Sequence, residues 1–342
     1  MEKDEIQLWN KNISEAVSSK RWVKAYSKYI DVLSENSVPV IFEIDHLAEI
    51  LGLRSDLLVR AVNSVERFYR PFEIPKSSGG TRKINAPYPV LLDIQRWIGA
   101  HILSQVRISE QAHGFVKNRS IIRNAREHLG KECMLKMDIS DFFPAISLKR
   151  VITIFLFLGY SPSVSYYLSV LCCLENQLPQ GGAASPQICN IIATPLDRRL
   201  MSLALAYSLN YTRYADDLTF SGRYIPIKFI KIVESIASDE GFEINNKKTK
   251  LMRAKGRRIV TGISIGTGEL KLPKSTKRSL RQEVYWLERN GIFAESGRDG
   301  IFDPLYVDRL LGKLNFWRSI EPENTYVIEK IDRLKELIIS ES

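Results

Sequence analysis

The sequence predicts an α+β protein in which helices enclose an antiparallel sheet, and three observations carry that expectation. Both ends of the chain repeat apolar side chains every three or four positions, the period of an amphipathic helix. Two central segments, residues 135–139 and 211–221, alternate apolar and polar side chains as half-buried strands do. A third, around residues 69–84, sets Gly79-Gly80 between two short β-type runs and reads as a hairpin.

Taken in chain order, Ile6, Trp9, Ile13 and Val17 predict helix from the start to about Val38. Asp45 is expected to cap a short helix carrying Leu47, Ile50 and Leu51, which Gly52 ends; Ser55 is expected to cap another with Leu58 and Val62. The pair looks like a helix-turn-helix. As a DNA reader it would offer only Arg54, Arg60 and Arg67, so a packing unit is the preferred reading. The hairpin that follows carries Lys76, Arg82 and Lys83, suited to gripping phosphates, although a solvated strand edge guarded by lysines has the same composition.

Val151 to Leu174 contains no charged residue and is long enough to cross a bilayer. Gly159-Tyr160-Ser161-Pro162-Ser163 in its middle predicts a turn and a helix N-cap, hence two buried helices of a soluble domain. The alternation of Leu135, Met137 and Ile139 predicts a strand that runs out before Pro144, with Asp138 and Asp141 at its exit and Asp141 as a helix-capping candidate. Tyr211 to Ser221 predicts a hairpin with Asp216 and Asp217 at its turn. Near the end, Asp303 and Pro304 should open a helix with Val307, Leu310, Leu311, Leu314 and Trp317 on one face; Val327, Ile331, Leu334 and Ile338 mark another.

Composition narrows the function. Lys plus Arg number 49 against 39 Asp plus Glu among 342 residues, a net charge of +10, which favours a polyanionic partner. With 44% hydrophobic and 26% charged residues the chain is an ordinary folded protein of two or three compact units. Cys133, Cys172, Cys173 and Cys189 show no C-x-x-C spacing, so neither a zinc site nor a disulfide framework is indicated. Met1-Glu2-Lys3-Asp4-Glu5 is too acidic for a signal peptide. A cytoplasmic setting without a membrane is expected.

The tandem aspartates carry the chemistry. Two unit charges about 4 Å apart repel by roughly 4 kcal/mol at an effective dielectric of 20, a cost that calls for a cation. If the strand ending at Asp138 lies beside the hairpin, Asp138, Asp216 and Asp217 converge as an oxygen-only set suited to Mg²⁺ carrying substrate phosphates. Two such ions could serve an in-line displacement in which a sugar hydroxyl attacks and pyrophosphate leaves.

With these residues in hand, a resemblance appears. Tyr214-Ala215-Asp216-Asp217, Asp138 followed by Phe142-Phe143-Pro144, and Leu178-Pro179-Gln180-Gly181 resemble the palm of a reverse transcriptase. Asn124-Ala125-Arg126-Glu127-His128 and Val260-Thr261-Gly262 match the N-A-x-x-H and V-T-G motifs of the bacterial retron reverse transcriptases, and Gly114 to Ile121 is similar to that family as well. The likeness covers about Phe68 to Ile265. It departs after Gly181, where Gly182-Ala183-Ala184-Ser185-Pro186 replaces the usual Ala-Pro-Thr-Ser-Pro, a change that removes no carboxylate.

The resemblance implies a right-hand polymerase: an N-terminal helical segment (1–40), fingers (41–134), a palm of antiparallel sheet with an interleaved fingers segment (135–265) and a helical thumb (266–342). It implies that Asp138, Asp216 and Asp217 hold two Mg²⁺ ions, with Mn²⁺ as an alternative and the Ile139 carbonyl as a further ligand. Phe143 would stand beneath the sugar and exclude a 2′-hydroxyl, Gln180 would support the incoming dNTP, and Arg82 would grip its triphosphate. Asn124, Val260, Thr261 and Gly262 become RNA-contact candidates, and His128 a structural or RNA-contacting residue rather than an acid or base. So do Lys255, Arg257 and Arg258, part of a run from Asn245 to Arg258 with seven cations and no acid.

The implied activity copies part of a cognate structured non-coding RNA into DNA from an RNA 2′-hydroxyl, leaving branched RNA–DNA (msDNA). The implied role is antiphage defence with a separate effector protein. A group II intron reverse transcriptase would continue into a maturase region, and a viral RNA-dependent RNA polymerase typically carries Gly where Ala215 stands. An RNA-binding scaffold with a dormant palm is the non-enzymatic rival, and the presence of all three aspartates speaks against it.

Overall fold

The apolar spacing at the start of the chain yields two helices rather than one, α1 (Lys3–Ala16) and α2 (Lys20–Glu35), in a computed structural model that describes residues 3–75, 79–253, 258–266, 268–291 and 305–341. The break falls at Val17-Ser18-Ser19, and serine favours helix ends over interiors. Helices α3 (Ile44–Leu51) and α4 (Ser55–Asn63) form as a pair, with Gly52 closing α3 in a left-handed conformation. Their caps differ from expectation. Glu43 precedes α3 and Arg54 precedes α4, so Asp45 and Ser55 lie inside the first turns, and Asp56 instead binds Arg54 and Arg60.

Strands β1 (Tyr69–Pro75) and β2 (Thr81–Pro87) pair antiparallel from Tyr69↔Pro87 to Pro75↔Thr81; Lys76 lies outside the described residues. Next come α5 (Pro89–His101) and α6 (Ile121–Arg126), the latter capped by Ser120, whose hydroxyl accepts from the Arg123 N–H. The uncharged stretch forms α7 (Leu148–Phe157) and α8 (Pro162–Cys172), and Ser161 caps α8 through the Val164 N–H. Among the described residues no helix is long and apolar enough to cross a membrane.

The central sheet consists of β3 (Cys133–Ser140), β4 (Asn210–Tyr214), β5 (Asp217–Gly222), β6 (Glu243–Ile244) and β7 (Lys250–Met252). It runs β4-β5-β3-β6, with β7 also on β3, and every pairing is antiparallel. Helices α9 (Ser185–Ile192), α10 (Thr194–Ala206) and α11 (Ile227–Asp239) accompany it, so the chain is α+β. A short hairpin, β8 (Ile259–Val260) and β9 (Ile263–Ser264), leads to α12 (Lys274–Asn290), α13 (Tyr306–Ile320) and α14 (Thr325–Glu341). The expected helix start at Asp303-Pro304 lies outside the described residues.

Two cores result. Cys133, Leu135, Met137 and Ile139 point from β3 into the larger one, which helices α2 to α5 and α7 to α11 complete. Met134, on the other face of the strand, joins Ala125, Val260, Ile263 and the buried stripe Val307, Leu310, Leu314 and Trp317 in the smaller one. Leu311 is only partly buried there, whereas Val327, Ile331 and Leu334 are fully so.

Candidate active site

The antiparallel register brings the three aspartates together. Asp138 of β3 pairs directly with Asp217 of β5, and Tyr214 of β4 pairs with the same Asp217 across a connection made of Ala215 and Asp216. Ala215 has φ 56°, the left-handed first position of a two-residue hairpin that glycine normally occupies. Strain of this kind persists where the surroundings hold it. The Ile139 N–H donates to the Asp216 carbonyl at 2.9 Å, and the Asn245 N–H donates to the Asp138 carbonyl at 2.8 Å.

Asp138 is buried, and the Asp216 carboxyl is pushed up to about 6 by burial first and by the charges of Asp138 and Asp217 second. Burial raises Asp217 as well. The ammonium of Lys248 sits on both Asp138 oxygens, at 2.8 and 3.0 Å, and this bond raises its own pKa. Sequence reasoning left Lys248 within the cationic run. Nothing local distinguishes it from Lys247 or Lys250; only the return of the chain along β3 through β6 and β7 brings it back to Asp138.

The aspartates floor a cleft of about 1000 Å³, also lined by Arg82, Lys83, Phe143 and Gln180. Arg82 and Lys83 reach it from β2. Gln180 is fixed through its backbone, whose carbonyl accepts from the Asn85 N–H at 2.8 Å, and a Cβ on Gly181 would meet the Asn85 oxygen at 2.7 Å. Phe143 is half-buried between Phe115 and Phe142, ring centroids 6.2 and 5.8 Å away, and also lines the cleft. Asp141 caps no helix. It is exposed at φ 44° in a turn, and its backbone carbonyl accepts from the Ala145 N–H.

Among the described residues no three His, Cys, Asp or Glu side chains stand arranged as a ready metal cage. The donor chemistry still fits a hard cation: Asp138 is buried, Asp216 and Asp217 are half-buried, burial and the neighbouring carboxylates together raise Asp216, and one lysine balances only Asp138 closely.

The motif residues expected to touch RNA divide differently. His128 is fully buried; its ring nitrogens lie 2.7 Å from the hydroxyls of Ser221 and Thr212, tying the turn after α6 to β5 and β4. Asn124, 1% exposed, lies with its amide nitrogen 3.5 Å from the Thr261 hydroxyl, which itself donates to the Ile121 carbonyl at 3.2 Å. Val260 is buried in the smaller core. Asn124, His128 and Val260 are therefore corrected to interior residues, because a side chain without exposed surface cannot meet a phosphate. Thr261 is half-buried and Gly262 exposed; Arg258 is half-buried with its Nε unpartnered, and Lys255 and Arg257 lie outside the described residues.

Residues 74–280 match the model of the family described as reverse transcriptase (RNA-dependent DNA polymerase). The chain is 36% identical to the retron Mx65 reverse transcriptase of Myxococcus xanthus over 74% of its own length and 65% of that protein's. It is 31% identical to the retron Ec86 reverse transcriptase of Escherichia coli over 72% of its length and 79% of that protein's. Among solved structures, a foamy viral protease-reverse transcriptase in complex with double-stranded DNA matches at 16% identity and a TM-score of 0.44, over 98% of this chain and 56% of the other. The family match, the Ec86 likeness and the ordered motifs together place the chain in the reverse transcriptase family, among the retron reverse transcriptases.

Proposed function

We propose that the protein is an RNA-directed DNA polymerase whose active site is formed by Asp138, Asp216 and Asp217. The observation that carries this reading is the β3–β5 register, which sets Asp138 opposite Asp217 beneath the turn bearing Asp216. Two Mg²⁺ ions held by these carboxylates and the Ile139 carbonyl would supply Lewis-acid stabilisation of the phosphoryl oxygens and an activated sugar hydroxyl. The chain's own residues do the rest. Arg82, with Lys83 beside it, binds the triphosphate, Gln180 steadies the nucleotide from a loop fixed by Asn85, and Phe143 closes the space beneath the sugar. The division into residues 1–40, fingers (41–134), palm (135–265) and thumb (266–342) is part of the same reading, with the thumb's core drawing in Ala125, Met134 and Val260.

The template is a cognate structured RNA, primed from one of its own 2′-hydroxyls to give branched msDNA, in a cytoplasmic antiphage role with a separate effector protein. The net charge of +10 and the likeness to retron enzymes support this finer reading. The test is purification of wild type and Asp216→Asn with bound nucleic acid, followed by sequencing and dNTP extension. The expected result is one enriched RNA in both preparations and a covalently attached DNA only in wild type. DNA synthesis by Asp216→Asn would move the active site elsewhere.

A further inference from the structure

Arg213 is a fully buried guanidinium three residues ahead of Asp216. Its Nε and Nη2 donate to the two carboxylate oxygens of Asp197 on α10 at 2.8 and 2.7 Å. The remaining Nη1 donates to the Asn190 side-chain oxygen on α9 at 3.0 Å and to the backbone carbonyl of Ala215 at 3.1 Å. Asn190 in turn donates to the Gly114 carbonyl at 2.9 Å, and a Cβ on Gly114 would come within 2.6 Å of the Ala215 nitrogen. The guanidinium also lies over the Phe142 ring, 5.6 Å from its centroid.

An ion pair serving only to join β4 to α10 would use the bidentate fork and nothing more. Here the third nitrogen reaches forward to the strained residue that precedes Asp216, while the Ile139 N–H holds the Asp216 carbonyl from the other side. The turn is thus gripped at two successive carbonyls by groups that cannot shift independently of α9, α10 and β3. Carboxylates that must share cations tolerate little displacement, and a 1 Å misplacement can cost about a hundredfold in rate.

We infer that Arg213 is a positioning residue of the polymerase reaction, setting the place of the Asp216 carboxylate through the Ala215 carbonyl, with Asp197 and Asn190 as its anchors. The inference rests on the proposed assignment of Asp138, Asp216 and Asp217. Lysine at 213 keeps a charge for Asp197 but lacks the planar fork that reaches Ala215 at the same time.

The test compares Arg213→Lys with Tyr211→Phe, which removes only the Tyr211 hydroxyl's bond to Asp197 and leaves the Ala215 contact intact. Both are assayed by dNTP extension on a pre-annealed RNA–DNA primer-template, well below their melting temperatures. Arg213→Lys is expected to lose at least tenfold in kcat with dNTP KM within about threefold, whereas Tyr211→Phe loses thermal stability and keeps kcat within about twofold. Should Arg213→Lys fail to fold, the double variant Arg213→Gln/Asp197→Asn, which removes both buried charges together, is expected to show the same kcat loss. A folded Arg213 variant with kcat within twofold of wild type overturns the inference. So do kcat losses that merely track melting temperature across the variants, or failure of both Arg213 variants to fold, since each assigns the network to folding alone. Asp216→Asn run alongside separates the two levels: if it still extends, the site assignment fails; if it is inactive while Arg213→Lys is fully active, only the positioning role fails.

Discussion

Lys248 binds both carboxylate oxygens of Asp138 from 110 residues away, so the protein brings a cation of its own to the three aspartates. Any Mg²⁺ that uses Asp138 must compete with that ammonium. The lysine side chain is 56% exposed, which holds the contact to about 0.2–1 kcal/mol. Lys248→Met should therefore lower the Mg²⁺ concentration for half-maximal extension by no more than about fivefold. A Mg²⁺ titration of primer extension reads this directly; a higher Mg²⁺ requirement would show that Lys248 helps to assemble the site rather than compete for it.

Phe143 lines the cleft but is wedged between Phe115 and Phe142, and these two facts predict different things for Phe143→Ala. As a steric gate, its loss admits rNTPs and lowers dNTP selectivity by orders of magnitude, because a clash acts only against the wrong substrate. As packing, its loss lowers stability with selectivity unchanged. Competition between dNTP and rNTP incorporation, with a melting curve on the same sample, distinguishes the outcomes.

Thr261 carries φ 44°, a left-handed backbone that a β-branched residue adopts at a cost of about 1–2 kcal/mol, and its hydroxyl is engaged with Ile121 and Asn124. The two motifs thus fasten the β8–β9 hairpin to α6. Asn124→Ala and Thr261→Val, which removes the hydroxyl and keeps the β-branched shape, should destabilise the fold non-additively while leaving the salt dependence of RNA binding unchanged. Neutralising Lys255 and Arg257 should instead flatten that dependence, by roughly 0.7–0.9 in log–log slope for each lost phosphate contact. Binding isotherms at several salt concentrations settle the comparison; a flattened slope in Asn124→Ala would return that residue to the RNA surface.

Burial holds His128 neutral, with a folded-state pKa of about 3 against an ordinary 6.5. As pH falls, the unfolded chain takes up the proton first. Stability from this residue is therefore complete above about pH 6.5 and is lost toward pH 3, at up to about 1.36 kcal/mol per pH unit. His128→Gln should cost about 1–3 kcal/mol at pH 7, because one hydroxyl loses its partner, yet show a shallower decline between pH 6 and pH 4. Denaturant midpoints across that range, wild type against variant, would expose an equal slope if another group dominates.

The sequence made the sheet and the site legible because their signals are local. Alternation marked the faces of β3 and two alternating runs meeting at Asp216-Asp217 marked a hairpin, so the convergence of Asp138, Asp216 and Asp217 was expected without coordinates, although the turn itself is Ala215-Asp216 and Asp217 already opens β5. What stayed hidden depends on distant pairing. Lys248 looked like its neighbours, nothing local in residues 211–221 ties Arg213 to Asp197, and Asn124 and His128 were polar residues whose partners, Thr261, Thr212 and Ser221, lie far along the chain. Polar residues carry no periodic signal that says whether they face water or a buried hydroxyl. The caps at Asp45 and Ser55 failed for a smaller reason, a shift of one or two residues at helix starts that leaves both helices intact.

Because Met134 and Ala125 lie in the same core as Trp317 and Val260, the C-terminal helices cannot be removed as a separable module. A fragment ending near residue 265 would leave Met134 uncovered on the strand that carries Asp138, four residues further along the same face. The helices alone would in turn lack one wall of their interior. Dissection of this chain into a soluble polymerase half and a soluble recognition half should yield two aggregating pieces, and chimaeras with other family members should exchange the helices together with residues 121–134 and 258–265.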